Sequence, residues 1–127
     1  MDRIIEEWIK MSEYDLQTAK VMLETGRYLY VPFMCQQSVE KLLKAVFCHV
    51  NNSVPPRTHN LLYLVDILKL NITDTQKTLL SQLNKFYLDS RYPIEQNQMA
   101  QDIDVHKAQD FWERTKELWQ CLRPVIL

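Results

Sequence analysis

The chain has 127 residues, of which 46% are hydrophobic and 24% charged, with a formal net charge of -1. That is enough for one domain spanning 1–127 with its own core, and too balanced for a general nucleic-acid footprint, so only a local basic patch could serve one. A single glycine in the whole chain argues against a sheet, whose hairpins spend glycine at turns. Cys35, Cys48 and Cys121 form no C-x-x-C pair and read as reduced, buried thiols. No apolar run approaches the ~20 residues that span a bilayer. The opening M-D-R-I-I-E-E-W has acids where a signal peptide would be basic and then apolar. These features point to a cytoplasmic, all-α protein.

Five helical segments follow in order. The first runs from about Asp2 to Glu24, with Ile5, Trp8, Ile9, Ser12, Leu16, Ala19 and Leu23 on one face. Gly26 ends it. The second runs from about Val31 to Val50, with Pro32 in its first turn and Phe33, Val39, Leu43, Val46, Phe47 and Val50 as its apolar arc. N-N-S-V-P-P-R-T (51–58) is a loop by composition. Thr58 is placed to cap a short third helix, apolar almost all round and so deeply packed. Thr73-Asp74-Thr75-Gln76 has the capping-box pattern and opens the fourth helix. Leu79, Leu80, Leu83, Phe86 and Tyr87 are its inner face, and Pro93 ends it near Arg91. A polar stretch leads to Asp104, which caps a fifth helix carrying Phe111, Trp112, Thr115, Leu118, Trp119 and Leu122. Long helices with short connections predict an antiparallel up-and-down bundle: a four-helix core plus one short helix.

Polar residues inside apolar arcs carry the functional information. Gln36 and Glu40 project between Phe33, Leu43 and Phe47, while Gln37, Lys41 and Lys44 supply a solvent face. Asp15 falls within the arc of Trp8, Ala19 and Met22. Arg91 lies one turn beyond Tyr87. Buried carboxylates need partners, so the pattern predicts a network of Asp15, Gln36, Glu40 and Arg91, with Arg91 and tyrosine hydroxyls as donors. Its bland role is to fix helix register. Its functional role is to present Arg91 to a phosphate. His59 follows Arg57 at a helix start, which is either ordinary packing or an anion site. His49, His59 and His106 have no metal-ligand spacing, so no metal or cofactor is expected. The aromatic stripe of the last helix reads as core.

W-I-K-M-S-E-Y-D-L-Q-T-A-K (8–20), C-Q-Q-S-V-E-K-L-L-K-A (35–45), T-H-N-L (58–61) and R-Y-P (91–93) together resemble the HEPN domain, a helical family named for nucleotide binding in higher eukaryotes and prokaryotes. The pieces occur in family order and cover most of the chain. The resemblance implies a homodimeric bundle, often working beside a minimal nucleotidyltransferase in toxin–antitoxin-like pairs. It also implies metal-independent ribonuclease activity in many members, from an arginine followed at short spacing by a histidine. That spacing would put the histidine at 96, 97 or 98, where this chain has Gln96, Asn97 and Gln98. These cannot exchange protons near neutral pH. The expectation is therefore a non-catalytic module that binds a nucleotide, the nucleotidyltransferase, or both. Its candidate ligand residues are Gln36, Gln37, Lys44, Arg57, His59, Tyr87, Arg91 and Tyr92. The alternatives are a ribonuclease toxin with altered catalytic residues, acting through Arg91, and a structural dimerisation module. Tyr87 or Tyr92 would be the acceptor if a partner transferred AMP.

Overall fold

The computed structural model describes residues 1–126. Among them are six α-helices, a 3-10 turn and no strand: α1 (Asp2–Glu24), α2 (Tyr30–Asn51), α3 (Leu61–Ile67), α4 (Asp74–Asp89), α5 (Pro93–Asp102), α6 (Val105–Leu122), then Arg123–Val125 as the 3-10 turn. One helix more is present than the sequence predicts. The polar stretch after Pro93 is α5, because proline is accepted at a first helical position, where its missing N–H costs nothing. Tyr92 breaks the chain out of α4 at φ -120°, ψ 131°, and Pro93 starts the next helix at once. A second correction concerns α3. Its cap is Asn60, whose side chain accepts from the Tyr63 N–H at 3.2 Å, whereas Thr58 Oγ1 accepts from the Asn60 N–H at 3.1 Å. The helix is also one-sided: Leu61, Leu64 and Val65 are buried, while Tyr63 and Asp66 are exposed.

The other boundaries follow from local chemistry. Thr73 and Gln76 form a reciprocal capping box, and Asp104 Oδ1 accepts from the Lys107 N–H at 2.9 Å. Gly26 sits at φ 79° after α1, and the Arg27 N–H closes back on the Met22 carbonyl at 2.8 Å. This is the left-handed helix stop that glycine accepts most cheaply. Asn52 and Lys69 take the left-handed conformation after α2 and α3, so the chain makes three such stops with one glycine.

The four long helices run up, down, up, down. Ser12 meets Ser38, and one turn earlier on α1 Trp8 lies under Lys44, one to two turns later on α2. Trp112 reaches Leu16 while Trp119 reaches Ser12; Phe86 packs on Phe111 while Gln82 holds Arg114. Each pairing is antiparallel. Helix α2 is central, packed against α1, α3, α4 and α6. It therefore has almost no solvent face, and Lys44, expected on the surface, is buried. Val50, expected in the apolar arc, is exposed near the free end of α2.

Between α1, α2 and α6 lies a small closed polar seam. Ser12 Oγ donates to the Ser38 carbonyl at 2.6 Å, Ser38 Oγ donates to the Ser12 carbonyl at 2.8 Å, and Trp119 Nε1 donates to Ser12 Oγ at 2.8 Å. Cys35 and Cys48 are buried, but Cys121 is exposed, which corrects the expectation for the third thiol. Burial pushes the Cys35 thiol up to about 12. Among the described residues no helix is long and apolar enough to cross a membrane.

Candidate functional site

The site is built from three places in the chain: the middle of α2, the loop that enters α3, and the end of α4. Residues 36, 40 and 44 are successive i, i+4 positions of α2 and stack on one face. Glu40 is the hub. Its Oε1 accepts from Gln36 Nε2 at 3.1 Å and lies 2.8 Å from His59 Nδ1, and its Oε2 accepts from Lys44 Nζ at 3.1 Å. Gln36 Nε2 also donates to the His59 carbonyl at 2.9 Å. The residue at 59 is thus held twice, through backbone and ring. Gln36 Oε1 is buried with no hydrogen-bond partner among the described residues.

A carboxylate only accepts, so Nδ1 of His59 carries a hydrogen, and in the neutral ring the lone pair is then on Nε2. The His59 side chain is 53% exposed, against 10% for Glu40. The ring packs on Tyr87, with centroids 4.9 Å apart, and Phe33 stacks on the same tyrosine at 5.5 Å and 13°. Tyr87 is only 7% exposed. Arg91, in the turn after α4, folds back so that its guanidinium lies 4.6 Å from the Tyr87 ring centre, and Nη2 donates to the tyrosine hydroxyl. A cleft of about 320 Å³ opens here, lined by Thr58, His59, Asn60, Asn84, Tyr87 and Leu88.

The predicted network splits. Asp15, Gln36 and Glu40 are buried, but Arg91 is exposed and pairs with neither carboxylate. Asp15 pairs with Lys41 across the α1–α2 hairpin, and Glu40 with Lys44 and His59. The physical reason is reach and alignment. Arg91 lies past the last turn of α4, while the lysines sit on α2 itself. Antiparallel arithmetic could have found Lys41: with the hairpin centred near residue 27, Asp15 faces the 38–41 turn of α2. Of the remaining candidates, Gln37 is half-buried, while Arg57 and Tyr92 are exposed. None of the three makes a side-chain hydrogen bond or ion pair among the described residues. Asn84 escaped sequence reasoning. It bridges the Leu61 N–H and Asn60 Oδ1, both at 2.9 Å, and so fixes the α3 entry to α4. Its position one turn before Tyr87 and Leu88 was the available signal. Gln96, Asn97 and Gln98 lie on α5, where Gln98 bonds Asp102. The histidine that does reach this region, His59, comes from another segment altogether. No three of His, Cys, Asp and Glu converge as a metal-binding group among the described residues.

The up-and-down bundle and its one-ended cluster of carboxylate, histidine, tyrosine and arginine define a small helical module with a polar face at one flank. The family model for the HEPN domain matches residues 5–125, and the chain belongs to the HEPN domain family, a class of nucleotide- and RNA-related modules that often dimerise and bind RNA. The crystal structure of TT1696 from Thermus thermophilus is similar in fold, with a TM-score of 0.81 and 20% identity, covering 98% of this chain and 99% of that one. No curated protein sequence matches the chain.

Proposed function

We propose that the chain is a non-catalytic HEPN module that binds a nucleotide phosphate at the His59–Tyr87–Arg91 face. The observation that supports this is the posture of Arg91. It is exposed, oriented by Tyr87, and engaged in one hydrogen bond among the described residues. Most of its five donors stay available, and a guanidinium fork matches two phosphate oxygens. Glu40, Gln36 and Lys44 hold His59 in place behind it, and Arg57, Gln37 and Tyr92 would contribute from the rim. The finer reading is a homodimer that works beside a minimal nucleotidyltransferase in a toxin–antitoxin-like pair. If that partner transfers AMP, Tyr92 is the better acceptor, since it is 61% exposed and Tyr87 is 7% exposed. Titration calorimetry with AMP, ATP and GTP, on wild type and Arg91→Gln, tests the nucleotide step. Heat lost in the variant supports it; no heat and no thermal shift at millimolar ligand reject it. Intact-mass measurement after co-expression with the partner reads the AMP step.

One observation favours a second reading, a ribonuclease with rearranged residues. His59 has its Nδ1 backed by Glu40 and its Nε2 unbound, the arrangement that suits a general base, and it shares Tyr87 with Arg91. Incubation with total RNA decides between the two. Cleavage lost in both His59→Ala and Arg91→Ala establishes the enzyme, and cleavage retained in both belongs to a contaminant.

A further inference from the structure

A second cavity lies on the other flank of α4, in the groove between α4 and α6. It has a volume of about 580 Å³ and is lined by Gln82, Lys85, Phe86, His106, Lys107, Asp110, Phe111 and Arg114. Such a volume suits a small organic ligand. Its floor is apolar: Phe86 and Phe111 meet edge to face, with centroids 5.2 Å apart at 88°. Its rim is cationic. Lys85, Lys107 and Arg114 face a single carboxylate, Asp110, with His106 beside them, on a chain whose formal charge is -1. On α4 this flank is far around the helix from Tyr87: residues 82, 85 and 86 lie about 100–200° from it.

Arg114 makes this cavity more than a patch of surface lysines. Its Nη1 and Nη2 both donate to Gln82 Oε1, at 3.2 and 3.1 Å, and Nη1 also donates to Asp110 Oδ2 at 3.1 Å. The planar group is clamped between α4 and α6, 5.8 Å from the Phe111 ring centre. Three of its five donors are used. The two left, Nε–H and the second Nη2–H, share one edge of the guanidinium, a spacing that matches two oxygens of a phosphate. A fork already immobilised loses little entropy when it binds.

We infer that the α4–α6 groove is a second ligand site, which takes a nucleoside phosphate unit with its base against Phe86 and Phe111 and its phosphate on Arg114, Lys85 and Lys107. The groove shares no residue with the His59–Tyr87–Arg91 face, so the two sites stand or fall separately. The ligand is either a free mononucleotide or one unit of a single RNA strand. Cations with an aromatic floor suit both.

The test uses the full chain carrying His59→Gln and Arg91→Gln, so that the first site is disabled. AMP is titrated by calorimetry, and a fluorescein-labelled single-stranded RNA of about eight nucleotides by anisotropy. Lys85 and Lys107 are exposed, so adding Lys85→Glu and Lys107→Glu leaves folding intact, which a thermal melt checks. Arg114→Lys tests the fork separately, because it keeps the charge and loses the shared edge. Binding by the disabled chain that falls about tenfold or more on charge reversal, and falls also in Arg114→Lys, is the expected result. AMP binding identifies a free nucleotide, and binding of the RNA alone identifies a strand. Failure to bind either probe, or binding unmoved by charge reversal or by Arg114→Lys, overturns the inference. The first site is read separately, from the affinity that Arg91→Gln removes in a chain already carrying Lys85→Glu and Lys107→Glu.

Discussion

Apart from the Asp15–Lys41 pair, two polar regions inside this bundle differ in how far they close. The Ser12–Ser38–Trp119 seam is closed: Ser12 and Ser38 satisfy one another's carbonyls, and the indole fills the remaining acceptor. The Glu40 cluster is closed on one side only. Gln36 and Lys44 face inward, while His59 carries the network to the surface beside Tyr87 and Arg91. Under the proposed function, the difference is that between structural and ligand-binding polarity. A seam that only sets register spends all its hydrogen bonds within the protein, whereas a ligand site keeps donors in reserve at one edge.

That contrast predicts a graded series of stability effects. The largest belongs to Glu40→Ala. It strands Lys44, whose side chain is 9% exposed, and should cost about 3–5 kcal/mol in urea unfolding, as removal of one partner from a buried pair does. A loss well below 1 kcal/mol would mean that the hub is not closed. Ser12→Ala comes next, at about 1–3 kcal/mol, because it leaves the Trp119 N–H without its acceptor. Thr115→Val should be neutral or stabilising by less than about 1 kcal/mol. The Thr115 hydroxyl is fully buried and lies against the weakly hydrogen-bonding Cys35 thiol, so it belongs to neither region; a clear destabilisation would show that this contact matters. Arg91→Gln is the smallest in stability, within about 0.5 kcal/mol, and should act on ligand affinity alone. If it unfolds the protein at lower denaturant as strongly as Ser12→Ala does, the open edge is structural after all.

Much of the bundle was legible in advance because its signals are local. The capping box at Thr73, the Asp104 cap, the stop at Gly26 and the helical spacing of the long apolar arcs all act within a few residues of their cause. The burial of Gln36, Glu40 and Asp15 was legible for the same reason, since an arc can be read from one helix. Partnership could not be read this way. Whether Glu40 pairs with Arg91 or with Lys44 and His59 depends on how far α4 reaches and on how much of α2 is surrounded. Lys44 was misassigned to solvent because a central helix has neighbours that its own sequence does not name. The Ser12–Trp119 contact joins the first helix to the last. Pro93 was ambiguous in kind: the same residue ends one helix and begins another, and only the extended Tyr92 before it decides that both happen.

The double hold on residue 59, with its carbonyl on Gln36 and its ring on Glu40, has a kinetic consequence. The segment from Asn52 to Asn60 is a connection that includes Pro55 and Pro56, and its far end is pinned at two points. One wall of the cleft therefore stands before any ligand arrives. Association there would be a docking event, not the closing of a loop, with an on-rate set by diffusion and by the attraction of Arg91 for anions. Changes in affinity among variants of this face would then appear in how fast the ligand leaves.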